Sequence, residues 1–173
     1  MTERPHARHR AEASGRPLAF GLLTVSDTRT PGDDRSGAIL RALVTAAGHG
    51  VHASAIIPDD PDRVREQVLA WAMDGSCDVV VSSGGTGLSA RDRTVEAVAG
   101  LFEVRVDGFG ELFRMLSFQE IGSAAMLSRA TAGVVRGTPV FVLPGAPDAV
   151  TLGLTRLVLP EIGHMIGQLR RRS

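Results

Sequence analysis

The chain has 173 residues with 19 basic and 19 acidic side chains, 43% hydrophobic and 22% charged, which suits one soluble domain able to bury about 70% of its unfolded surface. All the basic residues are arginine, and asparagine and tyrosine are also missing; a G/C-rich coding sequence accounts for this better than heat adaptation, whose broad trend favours Lys and Glu. Without lysine there is no Walker A loop, Schiff base or lysine-adenylate intermediate, and zero net charge argues against a general nucleic-acid or membrane-surface role.

Residues 1–16 carry Arg4, Arg8, Arg10 and Arg16 with little apolar content, so a disordered basic tail is expected before a single domain over 17–173. No apolar run approaches the roughly 18 residues of a membrane span. The single cysteine, Cys77, excludes an internal disulfide and fits a reducing cytoplasm.

Leu18 to Val25 is an apolar run that reads as a buried strand and ends in Ser26-Asp27. Thr28 to Arg35 is a polar loop. Asp33, Asp34 and Ser36 are cap-type residues, after which Ile39, Leu43 and Ala47 recur at helical spacing until Gly48. Val51 to Ile57 reads as a second strand, closed by Pro58-Asp59-Asp60-Pro61. Val64, Val68, Leu69 and Ala72 mark an amphipathic helix.

Cys77 to Ser83 is the most strand-like run and leads into Gly84-Gly85-Thr86-Gly87. A short helix is expected around Thr94 to Leu101 and a longer one over Phe109 to Ile121, with Phe109, Leu112, Phe113 and Leu116 on one face. Met115 and Phe118 lie off that face, so the helix must bury more than one side, either within the monomer or against another subunit. Val134-Val135 and Val140 to Leu143 read as short strands. A helical segment from Pro147 to Arg170 is interrupted near Pro160. Continuous apolar strands alternating with helices indicate an α/β fold: three layers, with a mostly parallel central sheet and helices on both faces.

Ligands of such sheets bind outside the C-terminal strand ends. That rule gathers four loops: Ser26-Asp27, Pro58-Asp59, Gly84 to Asp92, and Pro144 to Pro147. The glycine cluster lets backbone amides approach an anion, or is simply a tight strand-to-helix turn. Its match to a dinucleotide fingerprint is degenerate: it follows the third strand, Ala90 replaces a glycine, and Asp92 would repel a bare pyrophosphate. Beside a phosphate cradle Asp92 suits Mg²⁺ instead; otherwise it caps the next helix or pairs with Arg91. Asp59, directly after a strand, is placed to share the same hard cation, whereas Asp60 and Asp62 read as turn residues. Arg129 can grip an anion bidentately or form a surface ion pair. The histidines stand away from the glycine loop, so neither a Ser-His-Asp triad nor a zinc site has support.

Seven segments occur together in order: Thr24-Val25-Ser26-Asp27; Asp33-Asp34 with Ser36-Gly37; Gly84-Gly85-Thr86-Gly87; Arg91-Asp92-Arg93-Thr94; Gly108-Phe109-Gly110-Glu111; Ala125-Met126-Leu127-Ser128-Arg129-Ala130; and Leu143-Pro144-Gly145-Ala146-Pro147. In this the chain resembles, over roughly residues 17–170, the molybdopterin-binding family of molybdenum cofactor biosynthesis, of the MoaB/Mog type. Val95 and Asp60 depart from the family pattern, which usually has proline and glutamate there.

The resemblance implies homo-oligomers, trimers or hexamers, in the cytoplasm. It also implies small-molecule substrates and contact with other proteins of the pathway, without nucleic acid or membrane partners. It implies Mg²⁺-dependent transfer of an adenylyl group from ATP to the terminal phosphate of molybdopterin, with a non-catalytic molybdopterin carrier as the alternative. It places metal and catalytic roles on Asp59 and Asp92. Substrate contacts fall on Ser26, Asp27, Ser36, Ser83, Gly84, Gly85, Thr86, Gly87, Thr94, Ser128, Arg129, Pro144 and Gly145.

Overall fold

A computed structural model describes residues 16–170. The tail expected over 1–16 therefore lies outside the described residues except for Arg16, which donates to Asp78 at 2.6 Å. Six strands form one sheet: β1 (Ala19–Val25), β2 (Gly50–Ile57), β3 (Val79–Ser83), β4 (Val104–Arg105), β5 (Thr131–Val135) and β6 (Thr138–Leu143). Their order is β2-β1-β3-β6-β5-β4. The first four in that order run parallel, while β5 pairs antiparallel with both its neighbours.

The helices are α1 (Arg35–Ala46), α2 (Pro61–Met73), α3 (Thr94–Ala99), α4 (Asp107–Ile121), α5 (Pro147–Gly153) and α6 (Leu159–Arg170). Side chains alternate across each strand. Phe20, Leu22, Val79, Val81, Phe141 and Leu143 therefore face α1, α4, α5 and α6. Leu23, Val25, Val80, Val140 and Val142 face α2 and α3. Each inner strand is apolar on both sides because each side carries a helical layer.

Several local readings shift. The buried stripe of α1 is Ser36, Leu40 and Val44 rather than Ile39, Leu43 and Ala47. The stripe of α4 is Phe109, Gly110, Phe113 and Ser117, with Leu112 exposed. The C-terminal helical segment is not broken at Pro160 but widened just before it: Leu154–Val158 is a π turn, which suits a proline that cannot donate back along the helix. The turn between β5 and β6 holds both Arg136 and Gly137 at positive φ, the hairpin geometry that matches strand twist.

The chain order around β1 locates the crevice. β2 lies on one side of β1 and β3 on the other, with α1 and α2 on opposite faces. The connections therefore diverge between the C-terminal ends of β1 and β3, the switch point at which such sheets bind ligands.

Candidate functional site

The four loops expected to meet do meet. Ser26 N donates to Ile57 O at 2.8 Å and Gly84 N to Leu143 O at 3.1 Å, so the ends of β1, β2, β3 and β6 are tied together. The glycine loop is folded tightly into this junction. Gly84 has φ +102° and Gly85 φ +61°, conformations that favour glycine. A Cβ on Gly84 would overlap the Val25 carbonyl, and one on Gly85 would overlap Thr94 Oγ1 and stand 2.8 Å from Asp59 Oδ1. Gly145 packs on Gly84, and the Ser36 hydroxyl donates to Gly145 O at 2.5 Å. That bond carries the N-terminal turn of α1 to the same place. Asp34 caps that turn, accepting from Gly37 N at 2.9 Å and from Thr24 Oγ1 at 2.7 Å.

Asp59 and Asp92 face one another across the glycine loop in different electrostatic states. Burial, the charges of Asp92 and Asp27, and a hydrogen bond with Asp92 push the Asp59 carboxyl above its ordinary value; only Arg91 opposes them. Asp92 is held below the usual range, first by the Ser89 hydroxyl and then by the amides of Ser89 and Gly87 and the charge of Arg129. Ser89 donates to Asp92 Oδ2 twice, from Oγ at 2.6 Å and from N at 3.1 Å. Neither simpler reading of Asp92 applies: α3 is capped at Arg93 without a side-chain bond, and Arg91 pairs with Asp27 at 3.3 Å. Asp60 is a helix cap, accepting from Asp62 N and Arg63 N. Asp27 supports the site from below by accepting from Asp59 N at 3.0 Å.

Two expectations change. The amides of residues 84–87 are not all available to an anion, because Gly84 N is bonded to Leu143 O at 3.1 Å. Gly85 and Thr86 keep theirs. Arg129 does not reach outward for an anion. It donates to Thr86 O at 3.0 Å, Gly87 O at 2.7 Å and Asp92 O, and it pairs with Glu96. Ser89 and Glu96 were not anticipated; a serine three residues before an aspartate is the only local hint of the former.

Around the loop, the hydroxyls of Ser83, Thr94 and Ser128 are buried without a partner among the described residues. An unsatisfied buried hydroxyl costs about 1–3 kcal/mol, so they concentrate polar capacity that the fold itself does not use. A cleft of about 580 Å³ opens beside Ser26, Asp27 and Pro58 and runs between α1 and β2, with Arg29 and Arg41 on its rim. That volume is in the range of small-molecule sites.

No group of three or more His, Cys, Asp or Glu side chains among the described residues could hold a metal unaided. Two carboxylates beside a glycine loop fit Mg²⁺, which keeps several waters and shares its ligation with substrate phosphates. They fit a dinucleotide's bare pyrophosphate poorly. No described helix is long and apolar enough to cross a membrane.

The model of the probable molybdopterin binding domain matches residues 21–164. Molybdenum cofactor biosynthesis protein B of Bacillus subtilis (strain 168) is 46% identical over 151 residues, which cover 87% of this chain and 89% of the relative. A crystal structure of a molybdenum cofactor biosynthesis protein B superimposes with a TM-score of 0.88 at 44% identity, covering 90% of this chain and 98% of the other. The tungsten cofactor synthesizing protein MoaB of Pyrococcus furiosus gives 0.81 at 37% identity, covering 90% and 99%.

Proposed function

The chain belongs to the molybdopterin-binding domain family, and from that premise we propose that it acts in molybdenum cofactor biosynthesis as a Mg²⁺-dependent molybdopterin adenylyltransferase. The observation that carries this reading is the opposition of Asp59 and Asp92 across a glycine cradle at the switch point of the sheet. Two strand-end carboxylates beside a loop with free amides are the equipment of metal-assisted transfer between phosphates.

In the proposed reaction an oxygen of the terminal phosphate of molybdopterin attacks the α-phosphorus of ATP. A new P–O bond forms there, the bond to the bridging oxygen of the β-phosphate breaks, and its electron pair leaves on pyrophosphate. Asp59 and Asp92 would hold Mg²⁺. Once bound, the ion neutralises charge on the departing pyrophosphate. The remaining work is positional. The Gly85 and Thr86 amides receive an anionic oxygen. The unpartnered hydroxyls of Ser83, Thr94 and Ser128 bond substrate oxygens. The cleft beside α1 takes a heterocycle. Ser26, Ser36, Pro144 and Gly145 keep the four strand ends in register around these groups.

Incubating the purified protein with molybdopterin and MgATP tests this directly. Adenylyl-molybdopterin and pyrophosphate are expected in equal amounts. Tight pterin binding with no pyrophosphate would replace the enzyme by a carrier.

Self-association belongs to the same proposal. Leu112, Met115, Phe118, Ile121, Met126 and Leu127 lie exposed on α4 and the turn after it, Phe118 by 61% and Met126 by 77%. A clustered apolar surface of this kind marks an interface. Light scattering on the eluted protein should return a trimer or hexamer, and Phe118→Asp should shift it to monomer. An unshifted wild-type monomer would remove oligomerisation from the proposal.

A further inference from the structure

We infer that Arg129, backed by Glu96, is a positioning residue that shapes the glycine loop and aims Asp92, and not a substrate ligand. The four contacts described above draw on Nε, on Nη1 and twice on Nη2, out of the five N–H donors a guanidinium possesses. The side chain is 25% exposed, and the next residue, Ala130, is buried in the core just before β5.

The three carbonyls span residues 86 to 92, so the arginine closes the loop into a ring. In a trans peptide the N–H points away from the C=O. With the Thr86 carbonyl turned to Arg129, the Gly87 amide of the same peptide unit points to the opposite side of the loop. With the Gly87 and Asp92 carbonyls turned the same way, the negative ends of those dipoles leave the side on which an anion would arrive. One planar cation thus orients the peptide units that carry the Gly87, Leu88 and Arg93 amides and fixes the backbone of the metal-binding candidate. A lysine, with three donors on one compact nitrogen, lacks the planar fork that serves these three carbonyls and Glu96 together.

The test combines amide exchange with kinetics on the full-length protein, using Arg129→Lys and Glu96→Gln. In Arg129→Lys, exchange at Gly87 and Ser89 should speed up about 10-fold or more while β1 stays protected, because only the local opening is eased. Steady-state kinetics should show kcat falling about 10–100-fold, as for loss of a group that orients a ligand, with KM for MgATP within about 3-fold and the half-saturating Mg²⁺ concentration raised. Glu96→Gln should show the same pattern more weakly, and it keeps the question open to measurement if the lysine variant fails to fold.

Unchanged loop exchange in both variants would overturn the inference. So would a rise in KM at constant kcat, the behaviour of a direct ligand. The kinetic arm rests on the adenylyl-transfer reading and the exchange arm does not. A wild-type protein without turnover but with a loosened loop in the variants would sink that reading alone.

Discussion

The two carboxylates at the strand ends show what a fold can hold for itself and what it leaves for a ligand. Asp92 is built in: Ser89 bonds it through hydroxyl and amide, and Arg129 fixes its backbone, so its charge is favoured. Asp59 sits opposite with its backbone held by Asp27 but its carboxyl partly buried beside two other acids, so its charge is disfavoured. The first carboxylate contributes to folding and the second opposes it. A cation placed between them would reverse the second effect without disturbing the first, which is the physical basis of the proposed Mg²⁺ role.

The largest expected effect is at Asp92. Asp92→Ala should cost about 10²–10³-fold in turnover, the scale of removing one preorganised electrostatic group. It should also destabilise, because the Ser89 hydroxyl and amide lose their acceptor. The sign follows from the lowered pKa: this stability is present above the ordinary Asp value and is lost as pH falls through the folded value. A thermal melt and an activity assay should therefore drop together, and undiminished turnover would remove the metal role.

Asp59→Asn comes next and should separate the two readouts. Turnover should fall about 10²-fold, yet the protein should melt higher at neutral pH. Here the pKa is raised, so the stabilising contribution of Asp59 exists at low pH and is lost as pH rises through the folded value. The neutral amide avoids that loss, and each kcal/mol recovered adds about 2–4 °C to a domain of this size. An Asp59→Asn protein that melts lower would erase the contrast with Asp92.

Much of this arrangement was legible beforehand, for reasons that differ from element to element. β1, β3 and β6 were visible as continuous apolar runs because both faces of the sheet are covered. The four loops followed from the strand ends alone. The stripe of α1 was misread because Ile39/Leu43 and Leu40/Val44 have the same four-residue spacing; packing against β1 selects the second. β4 escaped notice because its two residues, both exposed, are a strand only by pairing with β5. At the site, Asp59 and Asp92 could be picked out by position and charge. The direction of Arg129 could not, since its partners lie 33 to 43 residues away in sequence. The spending of the Gly84 amide on Leu143 O was likewise a matter of tertiary contact.

A milder substitution probes the same contrast without touching either carboxylate. The Thr94 hydroxyl lies beside Gly85, buried and without a partner, while the Thr94 amide donates to Gly85 O at 3.1 Å. Thr94→Val keeps the shape and the backbone bond and deletes only the hydroxyl. Because that hydroxyl is unsatisfied in the folded protein, its removal should leave the melting temperature unchanged or slightly raised. If its partner is a substrate oxygen, turnover should still fall about 10-fold, the free energy of one hydrogen bond at about 1.4 kcal/mol per factor of ten. The loss should be larger than in Ser82→Ala, which deletes a hydroxyl equally buried and equally unpartnered one residue before the end of β3. Equal effects from the two would mean that burial, and not position at the glycine loop, governs both.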